Sequence, residues 1–150
     1  MDLKILCTAD LHDSNLQKIR SFIDLHHVMS LATSDMQELS VCSLFYVYSS
    51  QRNSFIVASS DETTHVKHLQ SNNQVAGNIL LETSNVGKIQ GLQFRGKMKL
   101  LHESSLEDLY FKRFPYAKVM KPKLWEIDVD FYKFTDNTLG FGKKIIWKDS

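Results

Sequence analysis

The stretch "SFIVASSDETTHVKHLQSNNQVAGNI", residues 54–79, decides the fold. It opens on an apolar, β-branched run (54–60), then breaks into hydroxyl and acidic residues. A short helical segment (61–72) follows, and a second strand-like run begins at Gln74. β-Branched and aromatic runs bounded by polar turn residues are the signature of strands.

The same pattern continues on both sides. "HVMSLAT" (27–33) and "SVCSLFYVYS" (40–49) precede the segment. "QVAGNILLET" (74–83), "KIQGLQFRGKMKLL" (88–101), "LWEIDVDFYKF" (124–134) and "KKIIW" (143–147) complete the series. Gly91 and Gly96 in the long fifth run predict bulges or a sharp bend. Two further helices are expected. One spans 14–27, with Ser14 and Gln17 at capping-box spacing and Leu16, Ile19, Phe22 and Ile23 in one apolar stripe. The other spans 104–114, boxed by Ser104 and Glu107 and stopped by Pro115. Strands in close succession with few helices between them favour antiparallel pairing over βαβ crossovers. A closed barrel removes their open edges. The expectation is a mainly β protein, a small barrel with peripheral helices, forming one domain over 1–150 with residues 1–13 as an N-terminal extension.

The 150 residues suffice for one substantial core, and 43% hydrophobic with 23% charged residues is ordinary globular composition. Eighteen basic and 17 acidic side chains leave a formal charge of +1. That balance offers no electrostatic case for nucleic acid. Cys7 and Cys42 form no C-x-x-C pair and no disulfide framework. No run approaches the ~20 apolar residues of a membrane span, and no basic-then-apolar signal opens the chain. A cytoplasmic location without membrane attachment is expected.

Several motifs invite chemistry and fall short of it. The tail "KFTDNTLGFGKKIIW" (133–147) has two glycines and two lysines, yet Asn137 occupies the first P-loop glycine position and Lys144 its closing Ser/Thr. A turn before a final strand explains it better. "KILCTADLHD" places Asp10 and His12 as the first metal motif of binuclear phosphoesterases does, but no later ligand segments follow. His65 and His68, three apart on a short helix, lack a carboxylate at metal spacing and read as surface or capping residues, so no metal is expected. Ser59, Ser60, Thr63, Thr64 and His65 at a strand-to-helix junction suit a phosphate anion, and plain N-capping by Ser60 or Asp61 suits the same residues equally.

Together, "HVMSLATSD", "SFIVASSDETTHVKHLQSNNQVAGNI" and "GLQFRGKMKLL" resemble the FMN-binding split-barrel superfamily of pyridoxamine 5′-phosphate oxidase. "RFPYAK" and "LWEIDVDFYKFTDNTLGFGKKIIW" are similar to the closing segment of its uncharacterised YhbP-like branch. The resemblance implies a six-stranded antiparallel Greek-key split β-barrel that forms a homodimer, with FMN in grooves between subunits. It implies a phosphate grip at Ser59, Ser60, Thr63, Thr64 and His65, a flavin ring passing Cys42, Ser43 and Leu44, and a ring contact from Gln90. It further implies flavin-dependent oxidoreductase chemistry on an unidentified small molecule. Thr64 and His65 stand where the oxidases carry Arg and Lys, which removes one fixed cation and makes the other a titrating imidazole. The vitamin-binding arginine and histidine of those oxidases have no counterpart in "FTDNTLGFGKK". A non-enzymatic flavin- or haem-binding module for sensing or storage is the rival, since His26, His27, His65 and His68 are potential haem ligands.

Overall fold

A computed structural model describes the backbone of residues 3–149 and the side chains of residues 12–149. The strands are β1 (Val28–Ser34), β2 (Leu39–Ser49), β3 (Ser54–Ala58), β4 (Gln74–Leu80), β5 (Gln90–Leu100), β6 (Leu124–Asp136) and β7 (Lys144–Lys148). The helices are α1 (Leu3–Leu25), α2 (Thr64–Leu69) and α3 (Ser104–Arg113). All strand pairings are antiparallel, in the order β3-β2-β1-β4-β5-β6-β7. β3 also pairs with β6, which closes a six-stranded barrel and leaves β7 as an added strand. β6 serves both roles along its length: Leu124–Asp128 meet β3, and Phe131–Thr135 meet β7.

Why β3 is a continuous apolar run is now plain. Phe55 and Val57 face the barrel interior, while Ile56 joins Leu106 and Tyr110 of α3 in a second cluster outside it. A strand covered on both faces has no polar side to alternate with. Beside it lies a buried carboxylate. Glu126 on β6 is 2% exposed and receives Arg52 Nε at 2.7 Å, Arg52 Nη2 at 2.9 Å and Ser54 Oγ at 2.8 Å. Burial pushes the Glu126 carboxyl up, but the Arg52 and Ser54 hydrogen bonds with the Arg52 and Lys99 charges outweigh it, leaving the group below its ordinary value.

Local signals err at several ends. α1 is helical from Leu3, so Ser14 and Gln17 lie mid-helix and form no capping box, and residues 3–13 continue that helix instead of preceding it. Asp10 falls outside the described side chains. Glu103, not Ser104, occupies the N-cap of α3, and no side-chain cap bond forms there. β3 ends at Ala58, two residues early. The register slips at Gly96, where an added Cβ would run into the Asp128 carbonyl, whereas Gly91 sits in regular pairing with Thr135. The tail is the expected turn: Asp136 Oδ1 accepts from Thr138 N at 2.9 Å, Gly140 and Gly142 have φ of 139° and 71°, and β7 follows. No helix among the described residues is long and apolar enough to cross a membrane.

Candidate functional site

Past Ala58 the chain leaves the sheet, held by Ser59 N donating to Lys123 O at 3.0 Å. Thr63 then caps α2, with its Oγ1 accepting from Val66 N at 3.4 Å. Neither Ser60 nor Asp61 is the cap, and Asp61 pairs instead with Lys123 Nζ at 2.9 Å. Ser59 Oγ and His65 Nε2 lie 2.7 Å apart, both buried, with Thr63 Oγ1 3.4 Å from the same nitrogen. Burial, then the neighbouring His68, pushes the His65 imidazole below its ordinary value, which keeps it neutral. The junction is therefore largely self-satisfied: Ser59, Thr63 and His65 hydrogen-bond one another, and of the five residues expected to grip a phosphate Ser60 and Thr64 are exposed.

The remaining expected residues divide. Cys42 and Leu44 point inward and pack on the core, and burial raises the Cys42 thiol. Ser43 is exposed on the opposite face of the strand. Gln90 Nε2 donates to Asp136 Oδ2 at 3.1 Å, in the β5–β6 pair that includes Gln90 and Asp136. Ala58, beside the junction, pairs with Leu124 at the other end of β6. At about 3.3 Å per residue those positions are roughly 40 Å apart along the strand. Within one protomer, Gln90 does not share a site with the Ser59–His65 turn.

A concavity that local motifs miss lies on the outer face of β1, β4, β5 and β6. This groove of about 720 Å³ is rimmed by Ser30, Asn78, Gln93, Arg95 and Lys133 and floored by Ala32, Ala76, Gly77 and Phe131. Gly77 faces the core behind this groove, where a Cβ would meet the buried Phe94 ring and, at 2.6 Å, the Ser30 carbonyl oxygen. The Arg95 guanidinium stacks 4.0 Å over the Phe131 ring. Pairing of Arg95 with Phe131 and Gln93 with Lys133 makes the two cations diagonal neighbours, and neither forms an ion pair among the described residues. The face continues into exposed apolar residues of β2, Leu39 (85%), Val41 (71%) and Phe45 (59%), with Val28 beside Phe45. The signal is present in the sequence as alternation, Leu92 and Phe94 inward, Gln93 and Arg95 outward. Only the sheet order brings the outward residues of separate strands together.

His68, read as a surface residue, is 2% exposed and meets Glu38 from the β1–β2 turn.

The closed six-stranded barrel with its added strand is a split barrel of the pyridoxamine 5′-phosphate oxidase-like kind. Solved structures share it at 12–18% identity. A Clostridium acetobutylicum protein related to general stress protein 26 (pyridoxinephosphate oxidase family) gives a TM-score of 0.66 at 15% identity, covering 90% of this chain and 94% of that one. A FAD-binding protein from Mesorhizobium loti gives 0.68 at 12% identity, covering 79% and 90%. HutZ, the haem storage protein of Vibrio cholerae, gives 0.61 at 16% identity, covering 76% and 89%. No protein-family model matches the chain. Its full-length relatives place it: the chain belongs to the UPF0306 (YhbP) family. It is 38% identical over 135 residues to a UPF0306 protein of Cronobacter sakazakii, covering 88% of this chain and 94% of that one. It is 36% identical over 135 residues to the UPF0306 protein YhbP of Escherichia fergusonii, covering 88% and 92%.

Proposed function

We propose that this chain is a flavin-binding split-barrel protein that works as a homodimer in the cytoplasm, with FMN as its ligand. The observation that carries the reading is the outer groove with Arg95 and Lys133, which form no ion pair among the described residues, continuous with the exposed apolar face of β2. Its volume lies in the ~300–1,000 Å³ range of small-molecule sites. A second copy set against Leu39, Val41 and Phe45 would cover an apolar face that water otherwise wets. Arg95 and Lys133 would hold the phosphate, Phe131 would pack on an aromatic system, and Asn78 and Gln93 would offer hydrogen bonds to ring edges. Bound flavin supplies hydride or electron transfer, and the protein orients it and excludes water. The acceptor or donor is a small molecule, and no side chain of the groove is assigned a proton-transfer role.

The exposed hydroxyls of Ser60 and Thr64 are the second seat for the phosphate, supported by the family resemblance. For haem, His65 and His68 are engaged by Ser59, Thr33 and Glu38, so axial ligation through either requires breaking those bonds.

Native mass spectrometry of freshly purified protein tests the reading, expected to show a dimer carrying FMN or taking it up on addition. Arg95→Ala with Lys133→Ala should weaken FMN binding strongly, and Ser60→Ala with Thr64→Val should weaken it little. The reverse order moves the phosphate to the turn. A monomer indifferent to FMN sinks the proposal, and a Soret band in its place transfers the site to haem.

A further inference from the structure

We propose that Asp35, Glu38 and His68 form a site for a divalent transition-metal cation, with Zn²⁺ the best match to their donor atoms. His68 lies on α2, and the two carboxylates come from the turn joining β1 to β2. His68 Nε2 is 2.9 Å from Glu38 Oε1 and 3.7 Å from Asp35 Oδ2, and the three ligand atoms lie within 4.8 Å of one another. A tetrahedral Zn²⁺ with bonds of ~2.0–2.2 Å sets its donors roughly 3.3–3.5 Å apart. Shifts of about 1 Å, within reach of the exposed Glu38 side chain, convert the trio into such a site.

Two of the three ligands are already aimed. His68 Nδ1 lies 2.9 Å from Thr33 Oγ1, and both residues are buried, which fixes the ring with Nε2 toward the carboxylates. Metal-bound histidines are oriented in this way through their other nitrogen. Asp35 Oδ1 accepts from Gln37 N at 2.7 Å and Glu38 N at 2.8 Å, which leaves Oδ2 facing the imidazole. Those backbone donors also hold the Asp35 carboxyl below its usual range, so it is ionised at neutral pH.

Charge supplies the independent reason. Two carboxylates converge on one imidazole, and no lysine or arginine pairs with either among the described residues. A cation seated between the three groups would balance the two carboxylates. Asp35 and Glu38 keep one side open to solvent, so water or a further donor can complete the coordination shell. An imidazole with two carboxylates suits borderline first-row metals better than Ca²⁺ or Mg²⁺, which favour all-oxygen shells. Binding would clamp α2 to the β1–β2 turn.

The test uses the full chain, stripped with chelator and titrated with Zn²⁺ by calorimetry, and with Co²⁺ by its visible absorption. The Glu38→Gln variant retains a hydrogen-bond acceptor for His68 and loses the anionic ligand. One Zn²⁺ per chain is expected, with affinity reduced by at least ~10–100-fold in Glu38→Gln and by a similar factor in Thr33→Val. At Zn²⁺ about 100-fold above its Kd, the wild-type Tm should rise by roughly 5–10 °C, with no such rise for Glu38→Gln. Equal Zn²⁺ binding by wild type and Glu38→Gln would place the metal elsewhere and overturn the site. So would wild-type affinity no better than millimolar.

Discussion

The barrel has a closed half and a split half, and they solve burial differently. Around β3, both strand edges are paired, to β2 and to β6, and Phe55, Ile56 and Val57 are fully buried. Around the first half of β2, pairing with β3 has not begun, because β3 ends at Ala58 opposite Leu124. α2 fills that opening, anchored by Ser59–His65 and Thr33–His68 side-chain bonds in place of a strand ladder. One half is closed by pairing on both edges of β3 and a buried ion pair; in the other, β2 pairs with β1 alone and α2 closes the gap through a few polar contacts, next to an exposed apolar face. The exposed apolar positions of β2 and the groove beside them lie on the split side, so function is expected there.

The largest expected break lies in the closed half. Arg52→Ala leaves the buried Glu126 carboxylate with only Ser54 and the exposed Lys99, 3.7 Å away, and should cost about 3–5 kcal/mol in urea unfolding. A loss below about 1 kcal/mol would mean that Glu126 is not a keystone of that half. Because the folded Glu126 pKa is depressed below 4.5, its contribution is full above that pH. It is lost as pH falls through the folded value, and acid titration of wild-type stability should show that limb.

Next comes Gly96→Ala, where the new Cβ meets the Asp128 main chain, which cannot step aside; ~1–3 kcal/mol is expected. Gly91→Ala, whose Cβ approaches only Leu80 Cδ1 at 3.4 Å, is the control and should be near neutral.

In the split half, Ser59→Ala removes the buried partner of His65 Nε2 and should cost ~1–3 kcal/mol. The depressed His65 pKa makes stability complete above about 6.5 and lowers it as pH falls toward the folded value. His65→Gln should flatten that slope in a pH series of melts. An unchanged slope would mean that the junction is open to solvent after all. The smallest thermodynamic effect is expected from Leu39→Lys with Val41→Lys, within about 0.5 kcal/mol for the protomer. Light scattering should nevertheless show the proposed dimer dissociating. A variant that stays dimeric would move the subunit contact off this face.

Strand identity was legible wherever side-chain chemistry alone sets it: β-branched runs at β2, β3 and β6, and turn residues between them. Helix ends were less so. Ser14, Ser104 and Ser60 each have capping chemistry, but caps are chosen by where the chain leaves its neighbours, which made Glu103 and Thr63 the caps. The histidines show the same limit. From spacing, His65 and His68 look like surface residues, but α2 plugs the gap between strands and buries both. Glu38, thirty positions before His68, becomes its partner only through the β1–β2 turn.

The order of side chains along this chain was enough to determine antiparallel strands and a barrel, because apolar periodicity and turn chemistry act over a few residues. Tertiary structure alone decided that Arg95 and Lys133 share a groove, that Gln90 stands far from Ser59, and that two carboxylates face His68. Those placements depend on sheet order and strand register, which are set by pairing between residues distant in the chain.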